Sequence, residues 1–477
     1  MQNIDKRKNI FVLLTAHHSR AIITMISEII KHKKSEFRYN PIFIGGSEEY
    51  KYLMNFKGFK YQKQFINFEE LFLTVASHDK KNNNKKSISF STKIIYFLKK
   101  FLKNNLKGSS IYSLILQQFI FYRLLKKSEK AKEIFKKYNP QALITISDRN
   151  QTDTSAVFLK LAKKNTIPIF LFNLTIYSKE VAHQYRQSIP ELDTSINRNL
   201  SEKFSLIFLK STIFKNILFQ TREHLLAHKI FGSLSKNPWW NGNGLSDYVI
   251  SSNGFDTTEL IKNGVNKNKI YTLGNPEYQL IYKNFMNRYK LKRKIYENYN
   301  FDSSKKLIIA SMPQWYEQGQ ISLKVHKREI KFYTDILRST NFNILLSLHP
   351  RQNIKDYLYL ENNVMRISKE KLSNIISCSD KYVSNISSTI IWSVLLGIPI
   401  TVYNPIDLEY SSLSKLKSVK FCNTKNTFKK NIMNTDLNLK NLKKDWKLLD
   451  RSRVFQLDII SKYINLLNEN CKILTKK

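Results

Sequence analysis

Cysteine, proline, glycine and acidic residues are all sparse in this 477-residue chain, and each shortage closes off a class of protein. The three cysteines, Cys378, Cys422 and Cys471, have no short-range pairing pattern. That excludes a disulfide scaffold and a CxxC zinc site, and suits a reducing cytoplasm. Twelve glycines and ten prolines are too few for a fibrous or loop-rich chain. No stretch approaches the roughly 18 uninterrupted apolar residues of a membrane span. The first apolar run, residues 10–14, is too short for a secretory signal. Acids number 37 against 79 Lys and Arg, a formal charge of +42. A field of that size attracts polyanions: nucleic acid, anionic lipid or phosphorylated sugars. The joint abundance of Lys, Asn, Ile, Phe and Tyr is also what an AT-rich coding bias produces, so bias and an anionic surface or substrate both contribute.

What is present suits globular domains. With 42% hydrophobic and 13% aromatic residues the chain has ample material for cores, and its length calls for two or more domains. The most informative stretch is 343–405. An apolar run, Ile344-Leu345-Leu346-Ser347-Leu348, stops at His349-Pro350-Arg351; a second, residues 381–385, stops at Ser387-Ser388-Thr389. Residues 390–396 read as a buried helix ended by Gly397, and 399–403 as another strand. This is strand, polar turn and helix, repeated.

The same alternation runs through the chain. Residues 10–15 and 41–44, with a helix over 21–30, form an opening βαβ unit. A polar break at 80–86 is followed by amphipathic helices over 94–106 and 111–125. These are either core helices of the first domain or helices lying on an anionic membrane surface, with Lys99, Lys100, Lys103 and Lys107 on lipid phosphates. Strands follow at 142–146, 167–172, 247–251 and 269–273, with a less regular region over 185–232 and an aromatic turn, Trp239-Trp240-Asn241-Gly242-Asn243-Gly244. The expected architecture is α/β, two doubly wound Rossmann-like domains facing a cleft: a first domain over 1–281, a connecting helix over 282–300, a second domain over 301–453 and a closing helix over 454–477.

In an open parallel sheet, ligands bind beyond the carboxyl ends of the strands. In the second domain those ends carry Ser311 and Gln314, His349-Pro350-Arg351, Ser387-Ser388-Thr389 and Asn404. A helix N-terminus offers free N–H groups and a positive dipole end to a phosphate. The hydroxyls add donors, His349 donates a hydrogen bond, and Arg351 offers a planar fork. The plain alternative for the Ser-Ser-Thr run is a helix cap, and for the His-Pro step a turn. The set suits a nucleotide mono- or diphosphate leaving group.

These motifs carry a resemblance. Leu348-His349-Pro350-Arg351, then Ser387-Ser388-Thr389, then Leu396-Gly397-Ile398-Pro399, resemble the C-terminal half of GT-B glycosyltransferases. The pattern is most similar to bacterial capsule and lipooligosaccharide transferases of the sialyl-, polysialyl- and Kdo-type, which carry HP and SS motifs. Asn263-Gly264-Val265 and Gly274-Asn275-Pro276 resemble the join between GT-B halves, including that of UDP-N-acetylglucosamine 2-epimerases. The resemblance covers 247–403. It implies that His349, Ser387 and Ser388 hold the phosphate of a CMP- or UDP-linked sugar donor, with an anionic glycan or lipid-linked acceptor on the basic first half. Cofactors beyond the nucleotide-sugar are not implied.

The acceptor side is open. An inverting transfer needs a carboxylate or histidine to take the acceptor proton. Strand-end candidates are Asp148, His17 and His18, with Asp153 behind and Arg20 as an acceptor or phosphate ligand. Asp148 reads equally as a turn acid. The spacing from Asp148 to Asp153 is wrong for a DxD motif, so no essential metal is expected. His224 and His228 are four apart on an expected helix, but no HExxH is present and no third ligand is evident, which favours a structural or surface role. Two alternatives stand beside the transferase. One is a nucleotide-sugar 2-epimerase, which Asp148 and Pro168 match but Phe172-Asn173 and Ile386-Ser387-Ser388-Thr389 do not. The other is a non-catalytic polyanion or membrane binder, although no nucleic-acid recognition pattern appears.

Overall fold

The computed structural model describes residues 8–14, 19–32, 37–47, 49–50, 64–69, 110–149, 152–174, 178–195, 200–349, 352–408 and 413–471. The expected helix over 94–106 lies outside them.

Two parallel sheets organise the chain. The first comprises β1 (Lys8–Leu13), β2 (Tyr39–Gly45), β3 (Phe65–Asn67), β4 (Leu143–Thr145), β5 (Ile169–Asn173), β8 (Tyr248–Ser251) and β9 (Ile270–Thr272), in the order β3-β2-β1-β4-β5-β8-β9. A small antiparallel pair, β6 (Ile213–Phe214) and β7 (Ile217–Leu218), stands apart from it. The second sheet comprises β10 (Leu307–Ser311), β11 (Asn343–Ser347), β12 (Met365–Ile367), β13 (Lys381–Ser384), β14 (Ile400–Tyr403) and β15 (Val419–Cys422), in the order β12-β11-β10-β13-β14-β15. Both are doubly wound, with the chain reversing direction across the sheet between β1 and β4 and between β10 and β13. These reversals are the places where loops diverge and leave a crevice.

The helices that matter below are α1 (Ser19–His32), α2 (Ser110–Tyr138), α3 (Asp153–Lys164), α4 (Arg222–Phe231), α5 (Gly254–Lys262), α6 (Pro276–Met286), α7 (Leu323–Arg338), α8 (Thr389–Leu396), α9 (Leu439–Leu449) and α10 (Ile459–Cys471).

The central strands are continuous apolar runs because helices cover both faces. Asn343–Ser347 is buried at every position, as are Lys381–Ser384 and Ile400–Tyr403. Lys381 is the exception in kind: its Nζ donates to the carbonyls of Asn431 (2.8 Å) and Asn434, and burial lowers its pKa to about 8. Helix α7 is capped by the Ser322 hydroxyl, which accepts from the Val325 N–H, and turns His326, Ile330, Tyr333 and Leu337 inward at helical spacing. Helix α8 buries Ile390 through Leu396, each large aliphatic side chain contributing about 1.5–3 kcal/mol. It stops at Gly397, whose φ of +70° only glycine adopts without strain and where a Cβ would press on Trp446 at 3.2 Å.

The two sheets share one apolar core. Helix α6 packs against α1, α8, α10 and residues 372–378, and the final helix α10 returns to the first sheet. Tyr463 on α10 donates to the Gly274 carbonyl at 2.7 Å and meets Phe172 edge-on at 5.1 Å. The expected connecting helix over 282–300 is instead two helices, α6 and Arg288–Tyr299, broken at Asn287. Beyond residue 407, where the sequence reads as merely polar, β15 closes the second sheet and α9 docks against α8.

Candidate active site

Strand register decides which side chains meet. Pairing of Ser311 with Ser347, of Ala310 with Val383 and of Ser384 with Val402 levels the carboxyl ends of β11, β10, β13 and β14. The segments bearing Ser311, Gln314, His349, Ser387–Thr389 and Asn404 therefore leave one sheet edge, on both sides of the β10/β13 reversal.

A hydroxyl chain crosses that reversal. Ser311 Oγ lies 2.5 Å from the Tyr382 hydroxyl, which lies 2.7 Å from Thr389 Oγ1, which donates to Ser387 Oγ at 3.0 Å. The Tyr333 hydroxyl donates to the Ser311 carbonyl at 3.1 Å. Burial raises the pKa of the Tyr382 phenol, so it stays a neutral donor and acceptor. Sequence reading missed Tyr382 because it sits inside an apolar strand run, where an aromatic signals core. Helix α8 opens at Ser388, which is exposed and whose own side chain makes no cap bond; Ser387 Oγ instead accepts from the Thr389 N–H at 3.3 Å, and the Ser387 and Ser388 carbonyls accept from the Ile390 and Ile391 N–H groups. Its first turn is thus not closed over by its own N-cap hydroxyl, unlike that of α7.

The turn after β11 is held from below. Gln352 Oε1 accepts from the His349 N–H at 2.9 Å, and Gln352 Nε2 donates to the Pro313 carbonyl at 2.9 Å and lies 3.0 Å from the Tyr357 hydroxyl. Tyr357 donates in turn to Glu317 at 3.1 Å. One amide therefore ties the His-Pro turn to the loop after β10. His349 is half-buried; Pro350 and Arg351 lie outside the described residues. Gln314, nine-tenths buried, leaves its Oε1 without a hydrogen-bond partner. Buried amide oxygens are rarely left so, and a ligand donor would satisfy it.

Two of the expected residues are placed differently. Asn404 spends its side chain on its own turn: Oδ1 accepts from the Leu408 N–H at 3.1 Å and Nδ2 donates to the Leu408 carbonyl at 3.3 Å. Asp148, at the end of β4 and 1% exposed, clasps the aromatic turn. Its Oδ1 accepts from the Gly242 N–H at 2.8 Å, and its Oδ2 from the Gly244 N–H at 3.0 Å and the Ser246 hydroxyl at 2.6 Å. A carboxylate sealed from solvent with both oxygens engaged is placed to anchor a loop, not to take an acceptor proton. His17 and His18 lie outside the described residues, and Arg20 is known only by its backbone place in the first turn of α1.

The histidine pair on α4 meets a carboxylate that the sequence did not reveal as its neighbour. Asp153, at the start of α3, brings a carboxylate oxygen to His224 and His228. Spatial adjacency across two helices leaves no spacing signal. All three cysteines are buried and unpaired.

No family model and no curated protein matches this sequence. Solved structures do. A variant of the wall teichoic acid polymerase TagF superposes with a TM-score of 0.50 at 13% identity, over 99% of this chain and 92% of that one. A glycosyltransferase from Rickettsia africae follows at 0.45 and 15%, over 98% and 99%. A UDP-GlcNAc 2-epimerase from Neisseria meningitidis, bound to UDP-GlcNAc, gives 0.43 and 11%, over 97% and 100%. At 13% identity the superposition on the TagF variant speaks to the fold alone: α/β, GT-B-like, with two Rossmann-like domains.

Proposed function

We propose that the protein is a glycosyltransferase that moves a sugar from a nucleotide-sugar donor to a surface-glycan acceptor. The observation that carries this reading is the convergence of Ser311, Gln314, the His349 turn and Ser387–Thr389 on one sheet edge, astride the β10/β13 reversal. The second half binds the donor. The α8 N-terminus and Ser387, Ser388 and Thr389 receive the phosphate, where the dipole and hydroxyls stabilise charge that grows as the glycosidic bond breaks. His349 donates to a phosphate oxygen, Arg351 adds its fork, and Gln314 Oε1 accepts from the nucleoside. The acceptor approaches from the first sheet, where His17 and His18, following β1, are the candidates for the proton-accepting group now that Asp148 is engaged.

The chain's positive charge suits an anionic acceptor or an anionic membrane surface bearing it. Phe204, Ile207 and Phe208 on the helix Leu200–Phe208 are 64%, 67% and 56% exposed, and Lys229 of α4 lies against Phe208. Exposed apolar tips beside a lysine favour an anionic bilayer surface. Among the described residues no helix is long and apolar enough to cross one.

The test is a thermal-shift panel of CMP, UDP, GDP and their sugars, repeated on Ser388→Ala. A shift with one nucleotide that shrinks in the variant supports the donor site and names the base. A UDP shift accompanied by release of free N-acetylmannosamine moves the assignment to a 2-epimerase. No shift with any nucleotide, beside steep salt-dependent binding to RNA or anionic vesicles, replaces it with a polyanion binder.

A further inference from the structure

Three polar groups converge at the seam between α3 and α4, on the side covered by α2. Asp153 Oδ1 lies 3.5 Å from His228 Nε2 and 3.8 Å from His224 Nε2, and the two imidazoles stack at 4.4 Å between centroids. Asp153 is 6% exposed and His228 fully buried, while His224 keeps an exposed edge. Asp153 Oδ1 and His224 Nε2 are both buried and have no hydrogen-bond partner.

We propose that Asp153, His224 and His228 form a binding site for a divalent transition-metal ion of the zinc type, with a fourth position open to water. The spacing fits the ion. Tetrahedral bonds of about 2.0–2.1 Å put ligand atoms about 3.3 Å apart, so the two Asp–His separations of 3.5 and 3.8 Å close with shifts of a few tenths of an ångström. All three ligand atoms already lie within 4.8 Å of one another. The supporting hydrogen bonds set the right atoms inward. His228 Nδ1 lies 2.8 Å from Ser233 Oγ, whose own hydroxyl reaches the His228 carbonyl at 3.4 Å. With Nδ1 donating to Ser233, His228 would present its Nε2 lone pair toward Asp153, the form in which an imidazole ligates an ion. Arg123 Nε forms an ion pair with the other carboxylate oxygen at 2.5 Å, which leaves Oδ1 for the histidine side.

The neighbouring cations set a limit. Arg123 and, at 3.8 Å, Lys127 add positive charge beside the ion, so the affinity is micromolar in order rather than that of a full cysteine cage. The site joins α3 to α4 through side chains alone, and an ion there would staple the two helices. It lies outside the donor edge, and it is independent of the glycosyltransferase reading.

The test uses the full chain, stripped with chelator and titrated with Co²⁺ and Zn²⁺. The expected result is one equivalent of Co²⁺ with visible d–d bands, displaced by Zn²⁺, and a higher Tm with Zn²⁺. His224→Ala, which removes no hydrogen bond, lowers the affinity at least about tenfold. Asp153→Asn does the same, and His183→Ala, a surface control, leaves it unchanged. Absence of Co²⁺ binding by the folded chain overturns the proposal and makes the cluster a structural His–Asp–Arg network. So does equal binding by His224→Ala.

Discussion

Replacing Asp148 by Asn separates a loop anchor from a catalytic base. The side chain keeps its size but exchanges one acceptor oxygen for an NH₂ group. Whichever way the amide turns, one backbone N–H among those of Gly242 and Gly244 loses its acceptor at a 1%-exposed position. The loss of hydrogen bonds to a charged acceptor costs about 1.5–3 kcal/mol, and the stranded N–H about 1–3 more. The Ser246 hydroxyl can rotate to accept, which offsets part of this. A net loss of about 3–5 kcal/mol corresponds to a fall in Tm of roughly 3–5 °C, at about 1 °C per kcal/mol for a cooperative unit of this length. Gly244→Ala attacks the same contact from the other side, since its Cβ would sit 2.2 Å from the Asp148 carbonyl oxygen. Both variants are to be compared by calorimetry and by nucleotide binding to whatever remains folded. If Asp148→Asn melts within about 1 °C of the parent yet has lost turnover, the anchoring argument fails and Asp148 belongs in the chemistry.

Three further outcomes are expected. His349→Ala weakens nucleotide binding, read by titration calorimetry, with little change in Tm, because the turn is held through the His349 backbone N–H; Gln352→Ala, which removes that tie, lowers binding and costs about 1–3 kcal/mol of stability as well. Asp256, half-buried at the start of α5, has its pKa raised to about 7 by burial, partly countered by the Asn253 amide and reinforced by Glu259. The unfolded chain releases this proton near 3.8, so its contribution to stability is intact below about pH 4 and is lost as pH rises to about 7. The stability of Asp256→Asn therefore gains on the parent across that window, by about 1–2 kcal/mol once partial exposure is allowed for, and a pH-independent difference would refute the assignment. Phe204→Asp combined with Ile207→Asp abolishes binding to phosphatidylserine vesicles in a flotation assay while leaving Tm unchanged; retained binding removes this helix from the membrane contact.

Much of the second half was legible. Strands that lie in the middle of a parallel sheet are buried on both faces, so Asn343–Ser347, Lys381–Ser384 and Ile400–Tyr403 announce themselves as apolar runs, and their polar stops mark the sheet edge. Edge strands give weaker signals. Met365–Ile367 and Val419–Cys422 are short or half-polar and were not separable from loop. The first half was harder because long helical excursions separate its strands: β3 and β4 are three residues each, with α2 between them.

The sequence by itself determined the alternation of strand, turn and helix, and hence the doubly wound class and the chemistry at each strand's end. These follow from local periodicity, which any segment carries without knowledge of its neighbours. Only the tertiary structure decided which of those groups are engaged. Asp148 is occupied by a turn from Gly242 to Ser246, and Asn404 by its own loop. Gln352 turns out to hold two loops together, and Asp153 to complete a pair of histidines on another helix. A side chain's partners are set by how elements far apart in the chain are packed, and residue spacing along the chain carries no record of that.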